Sequence, residues 1–149
     1  MEKRKLEKIG IETSLLGYGC MRLPMTPEGK IDEPVAEQLL DRAIAGGVNY
    51  IDSAYYYSKG LSESFVGKIL QKYDRSTLYV ATKLPLWNLK ELREVDEIFE
   101  EQLARLRTDY IDFYLMHSLN KEKWDAMVEM GVVKRLEELK AKTSSISSS

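Results

Sequence analysis

The chain has 149 residues, 44% of them hydrophobic and 31% charged, enough for one domain with a buried core and too apolar for a disordered chain. Basic and acidic side chains nearly balance, 22 against 24, which leaves no electrostatic reason to seek nucleic acid or an anionic membrane. No apolar run approaches the roughly 20 residues of a membrane span. The charged start Met1-Glu2-Lys3-Arg4-Lys5 is not followed by a signal-like apolar stretch. Cys20 is the only cysteine, so an internal disulfide is excluded, a metal cluster is not expected, and a reducing cytoplasm is the default compartment.

Taken in chain order, Lys5–Ile9 and Thr13–Leu16 flank turn residues and predict a hairpin. Gly17–Met21 predicts a short strand running into a loop, and Met25–Asp32, with Pro27 and Gly29, more loop. Asp32 or Glu33 opens a helix whose Val35, Leu39, Leu40, Ala43 and Ile44 recur at helical spacing, and Gly46-Gly47 ends it. Val48–Asp52 reads as a strand and Ser62–Tyr73 as a helix, with Ser62 and Glu63 suited to its N-terminus. Thr77–Lys83 is the next strand and Leu89–Leu106 the next helix. Tyr110–Met116 is a further strand, and Lys121–Lys142 a helix interrupted at Gly131. Strands alternating with helices predict an α/β fold with a parallel sheet of four βα units after the hairpin. Residues 1–142 form the expected folded unit, and 143–149 a serine-rich tail expected to be disordered.

Asp52, Lys83 and His117 each close one of three successive predicted strands. Strand C-termini of a parallel α/β sheet lie at one end, where active sites form, so the three should converge. Polar strand ends are common, and that explains any one of them, but His117 is the only histidine. Tyr57, five residues past Asp52, can turn its hydroxyl back over the sheet. Tyr55 and Tyr56 read equally as packing aromatics. Reducing a carbonyl with hydride leaves an alkoxide that needs a proton. A phenol holds its proton with a pKa near 10, and an ammonium beside it stabilises the phenolate. Lys83 suits that part, with Asp52 holding it and His117 orienting the carbonyl oxygen.

Gly47–Tyr57, with its Asp52-Ser53-Ala54 and Tyr57, resembles the signature of the aldo-keto reductase family. Ala81-Thr82-Lys83 resembles its lysine strand, Tyr114–His117 its histidine strand, and Gly17–Leu23 its first strand and cofactor-side loop. Met116–Asn120 and Trp124 are similar to bacterial members with an iron–sulfur segment after the barrel. The resemblance implies a (β/α)8 TIM-barrel fold, represented here by its N-terminal half, since such a barrel takes about 250 residues. It implies reduction of a small aldehyde or ketone with NADP(H) or NAD(H). Tyr57 would be the general acid, Asp52, Lys83 and His117 its catalytic partners, and Gly19, Cys20, Met21 and Asp52 would lie near the nicotinamide. The family's later strands carry most dinucleotide contacts, so the chain alone is expected to be inactive, or to be a silent half-barrel that self-associates through its open edges as a homodimer. An iron–sulfur cluster would require a further C-terminal segment.

Trp87 falls where the family often places a substrate-pocket aromatic, and equally reads as the cover of a loop. Cys20 reads as a small buried residue rather than a reactive thiol. The charges Lys90–Glu94 read as a solvated helix face. Gly17-x-Gly19 is no dinucleotide fingerprint, because no helix opens on it and the third glycine is missing, which makes a doubly wound Rossmann enzyme the weaker alternative.

Overall fold

In a computed structural model, which describes residues 1–146 (side chains through residue 141), an antiparallel hairpin precedes a four-stranded parallel sheet flanked by helices. Strands β1 (Lys3–Leu6) and β2 (Ile11–Ser14) form the hairpin, with Lys3 opposite Ser14. The parallel sheet runs β3 (Tyr18–Gly19), β4 (Tyr50–Asp52), β5 (Tyr79–Leu84) and β6 (Phe113–Met116), neighbours in space in chain order. That is how consecutive βα units of a (β/α)8 barrel are arranged. Helices α1 (Glu33–Ala45), α2 (Ser62–Leu70) and α3 (Arg93–Leu106) connect the strands, and α4 (Lys121–Met130) and α5 (Val132–Ile146) follow β6. No described helix is long and apolar enough to cross a membrane.

The hairpin plugs the N-terminal end of the sheet through Asn49, just before β4. Its amide oxygen accepts from the Ser14 N–H at 2.7 Å, its own N–H donates to Ser14 Oγ at 3.1 Å, and its amide nitrogen donates to the Glu12 carbonyl at 3.0 Å.

Side chains alternate across the sheet. Ile51, Val80 and the helix faces of α1 and α2, with Leu40, Phe65 and Ile69, make one buried cluster. Leu84, Val95, Phe99 and Val132 centre a second, between the sheet, α3 and α5. The opposite face carries Tyr50, Tyr79 and Phe113, with ring centroids 5.1 and 6.3 Å from Phe113. On this face β3 and β6 are the sheet's two edges.

Several predicted boundaries shift for identifiable reasons. The histidine strand begins at Phe113 rather than Tyr110, because Asp112 binds β5 by its side chain. Its carboxylate accepts from the Val80 N–H at 2.8 Å and from Arg75 at 2.6 Å. Helix α3 starts at Arg93 rather than Leu89. Pro85 leads into a 3-10 turn at Leu86–Asn88, and the Glu94 carboxylate takes the N–H groups of Lys90 and Glu91, at 2.6 and 2.9 Å. Part of the expected solvated charge run therefore starts a helix. Gly131 does end α4, with φ +85°, the left-handed conformation glycine adopts without strain. The expectation of a disordered tail needs correction for Thr143–Ile146, which continue α5. Extending a formed helix fixes one residue per added hydrogen bond, so poor formers can follow good ones. Ser147–Ser149 lie outside the described residues.

Candidate active site

Strand pairing sets Gly19 beside Asp52, Asp52 beside Ala81, and Lys83 beside Leu115. This register brings the C-terminal ends of the strands to one rim of the sheet. Lys83 Nζ donates to Asp52 Oδ1 and to the Ser53 carbonyl, both at 2.6 Å. The lysine side chain is only 13% exposed, so the carboxylate that neutralises it also compensates much of its lost hydration. An ammonium has three donors, and two are committed here.

Tyr57 opens a 3-10 turn (Tyr57–Gly60) in which Ser58 and Lys59 both take positive φ, 51° and 59°. That left-handed reversal folds the loop over the strand ends. The Lys83 ammonium lies 4.6 Å from the centroid of the Tyr57 ring, and the His117 ring meets Tyr57 edge-on at 5.8 Å and 87°. His117 follows β6 directly, and its backbone N–H donates to the Leu84 carbonyl at 3.0 Å. Burial, reinforced by the Lys83 charge, holds the imidazole pKa below its usual value. His117 Nδ1 is buried without a hydrogen-bond partner among the described residues. A neutral imidazole so placed leaves Nε2 to meet a carbonyl oxygen.

The four residues singled out at the strand ends thus lie together. Trp87 sits beside them, half exposed, its ring 5.0 Å from His117 and stacked at 5.8 Å on Tyr56. Asn88 binds the Tyr56 hydroxyl. Tyr55 turns away: it donates to Glu101 at 2.6 Å and lies under the Arg105 guanidinium. Of the residues expected near the cofactor, Gly19 faces open space where a side chain would begin, and Met21 is exposed. Cys20 is fully buried in the core, and burial pushes its thiol up to about 12. Only its backbone can serve the site.

Sequence reasoning missed the role of Ser62 and Glu63. Neither is an exposed helix-start residue. Both side chains are fully buried behind the site and bonded to β5 and to the residues that directly follow β3 and β4. No local signal separates these two from the exposed Ser64 and Lys68 of the same helix, and their partners lie 9 to 42 residues away.

Residues 15–147 match the Aldo/keto reductase family. The chain belongs to that family. It is 36% identical over 126 residues to the aldo-keto reductase YhdN of Bacillus subtilis, covering 78% of this chain and 38% of that protein. The holo structure of aldo-keto reductase AKR11C1 from Bacillus halodurans superposes with a TM-score of 0.78 at 33% identity, over 95% of this chain and 47% of the other. An aldo-keto reductase from Klebsiella pneumoniae, solved in complex with NADPH, shares the fold at 23% identity and a TM-score of 0.67, over 89% of this chain and 46% of the other. The chain spans under half the length of each of these relatives.

Proposed function

We propose that this chain supplies the proton-donating side of an NAD(P)H-dependent reduction of a small aldehyde or ketone, with Tyr57 as the general acid. The observation that carries the reading is the placement of a buried, carboxylate-paired Lys83 ammonium 4.6 Å from the Tyr57 ring, with His117 against the same ring. Tyr57 gives its proton to the carbonyl oxygen. The Lys83 charge stabilises the phenolate that remains, and Asp52 keeps that lysine in place. His117, neutral and with Nδ1 shielded, orients the carbonyl oxygen through Nε2. Trp87, stacked on Tyr56, walls the substrate's apolar side. The reaction needs no metal ligand from these residues.

Bound NADPH or NADH would supply the hydride. The residues present fit its nicotinamide end: Gly19 leaves open space on the face that carries Asp52, and Met21 and the Cys20 backbone border it. The resemblance assigns most of the remaining dinucleotide contacts to later strands. We therefore expect this chain alone to bind NADPH weakly and to turn over little or nothing. The test is NADPH fluorescence titration together with NADPH oxidation in the presence of an aldehyde. Micromolar binding and steady turnover by the isolated chain would overturn the expectation of inactivity and leave the acid assignment standing.

A second reading, that the chain acts as a self-associating half-barrel, is favoured by one observation. Edges β3 and β6 flank a partly exposed inward face of Tyr50, Tyr79 and Phe113. Unpaired strand edges are templates for further pairing. A homodimer in sedimentation experiments supports this reading, and a monomer at every concentration refutes it.

A further inference from the structure

The Glu63 carboxylate is fully buried and each of its oxygens serves a different part of the site. Oε1 accepts from Thr82 Oγ1 and from Gln102 Nε2, both at 2.6 Å. Gln102 Nε2 also reaches the backbone carbonyl of Lys83 at 3.2 Å. Oε2 accepts from Arg105 Nη1 at 3.3 Å, and the same guanidinium nitrogen donates to the Tyr55 carbonyl at 3.3 Å. The Arg105 guanidinium also lies 4.1 Å from the centroid of the Tyr55 ring. One oxygen is thus tied to the strand end that carries Lys83. The other is tied to the loop that carries Tyr57, two residues beyond Tyr55.

The polarity of the network is internally consistent. The Gln102 amide oxygen accepts from the Tyr114 hydroxyl at 2.7 Å, and burial pushes that hydroxyl pKa up, so it stays a donor. With its oxygen occupied, Gln102 presents its NH2 group to Glu63. Thr82 and Arg105 likewise donate toward Glu63. A carboxylate is the one group that accepts from all three. Burial pushes the Glu63 pKa up, while the bonds from Thr82, Gln102 and Arg105 favour the charged form. Beside it, Ser62 Oγ lies 2.8 Å from Ser53 Oγ and donates to the Cys20 carbonyl at 3.1 Å, tying in the ends of β4 and β3.

We propose that Glu63 is a positioning residue: its carboxylate, bonded to Thr82 and Gln102 by one oxygen and to Arg105 by the other, sets the distance between Lys83 and Tyr57. The proposal rests on the reading of those two residues as the acid and its charged partner. Glu63 touches neither substrate nor cofactor and acts through the lysine strand and the tyrosine loop. Glu63→Gln keeps the shape and one acceptor oxygen but turns an NH2 group toward Arg105. Two donors then face each other in a buried place, and the tyrosine loop loses its link through Arg105 to Glu63.

The test is NMR spectroscopy of the full 149-residue chain with 13C-labelled lysine. A lysine head this close to an aromatic ring has its ε-methylene protons displaced upfield by the ring. Lys83→Arg identifies the signal, and Tyr57→Leu shows that the displacement comes from that ring. We expect wild-type protein to show the displacement and Glu63→Gln to lose most of it, while signals of the hairpin lysines Lys3 and Lys5 stay where they are. The far-ultraviolet circular dichroism of each variant reports separately whether it keeps its fold. If Glu63→Gln fails to fold, Arg105→Gln serves instead, because it cuts only the tyrosine arm at a side chain that is 22% exposed, and the same loss is expected. A folded variant of either kind that keeps the full displacement would overturn the proposal and leave the acid reading intact. Wild-type protein without the displacement would overturn the pairing of Lys83 with Tyr57, and the proposal with it.

Discussion

Gly67 lies in α2 where that helix crosses the end of α3. A Cβ added there would stand 2.2 Å from the Arg105 carbonyl oxygen, and 2.7 and 2.8 Å from the carbonyl carbon and Cα of Leu106. All three are backbone atoms, so no side chain can swing aside. To restore ordinary contact, α2 and α3 must part by about 1 Å, and a gap of that size forfeits roughly a quarter to a half of each dispersion contact across it. Val66, Leu70 and Leu106, all buried, pack in this region. The Glu63 bonds to Gln102 and Arg105 also span the same two helices. Overpacking typically costs about 1–3 kcal/mol, and with backbone on both sides the upper end applies. Replacing a mid-helix glycine by alanine returns about 1 kcal/mol of helix propensity. The expected net loss for Gly67→Ala is therefore about 2 kcal/mol, a large part of a domain stability of about 5–15 kcal/mol. Urea unfolding followed by circular dichroism measures it. Gly19→Ala is the control, since its Cβ meets nothing within 4 Å and its stability should stay within about 0.5 kcal/mol of wild type. A Gly67→Ala protein as stable as wild type, or more so, would refute the close helix crossing.

Three further outcomes follow from the same structure. His117 is the only histidine, so its ring proton titrates as a single NMR signal; its midpoint should fall below the ordinary histidine value of about 6.5 and rise in Lys83→Met, which removes a repelling charge. Because the folded pKa lies below the unfolded one, His117 contributes stability present above about pH 6.5 that is lost as pH falls through the unfolded value toward the folded one. Replacing it by Asn should flatten that part of the stability profile, measured by urea unfolding. Cys20 should resist a thiol-disulfide reagent in native protein at pH 8 and react at once in denaturant, since its buried thiol is pushed up to about 12. Rapid native labelling would contradict that. Asn49→Ala removes the two side-chain hydrogen bonds between Asn49 and the plug, keeps the one from its backbone N–H, and leaves the buried Ser14 N–H unpaired, for a loss of about 2–3 kcal/mol read by the same unfolding assay; an unchanged midpoint would show that the plug is held by other contacts.

The parts of this structure legible in the sequence are those set by local pattern. Helix α1 is bounded as read, by Asp32 accepting from the Val35 N–H and by Gly46, and α4 stops at Gly131. The convergence of Asp52, Lys83 and His117 was legible because parallel strands put their ends together, whatever the exact limits of each strand. What local pattern cannot show is a side chain that replaces a backbone partner. Asp112 takes the Val80 N–H, and Glu94 caps a helix that the apolar spacing would have begun four residues earlier. Ser62 and Glu63 were hidden for the same reason. They do open α2, as their type suits, and only the packed fold shows that they also bind the residues after β3 and β4, and β5 and α3. Cys20 follows a strand whose side chains alternate, and a slip of one position decides whether it faces the site or the core. The register of Gly19 with Asp52 sends it to the core.

The central claim is that Tyr57 donates the proton. Its most direct test joins residues 1–142 of this chain to the C-terminal half of the Bacillus subtilis relative YhdN and measures NADPH oxidation with an aldehyde, with and without Tyr57→Phe. The account predicts that the phenylalanine variant keeps the ring packing and its NADPH affinity, and loses about 100-fold or more in turnover, the scale of general acid catalysis. A Tyr57→Phe enzyme that turned over at nearly the unsubstituted rate would show that another group is the acid.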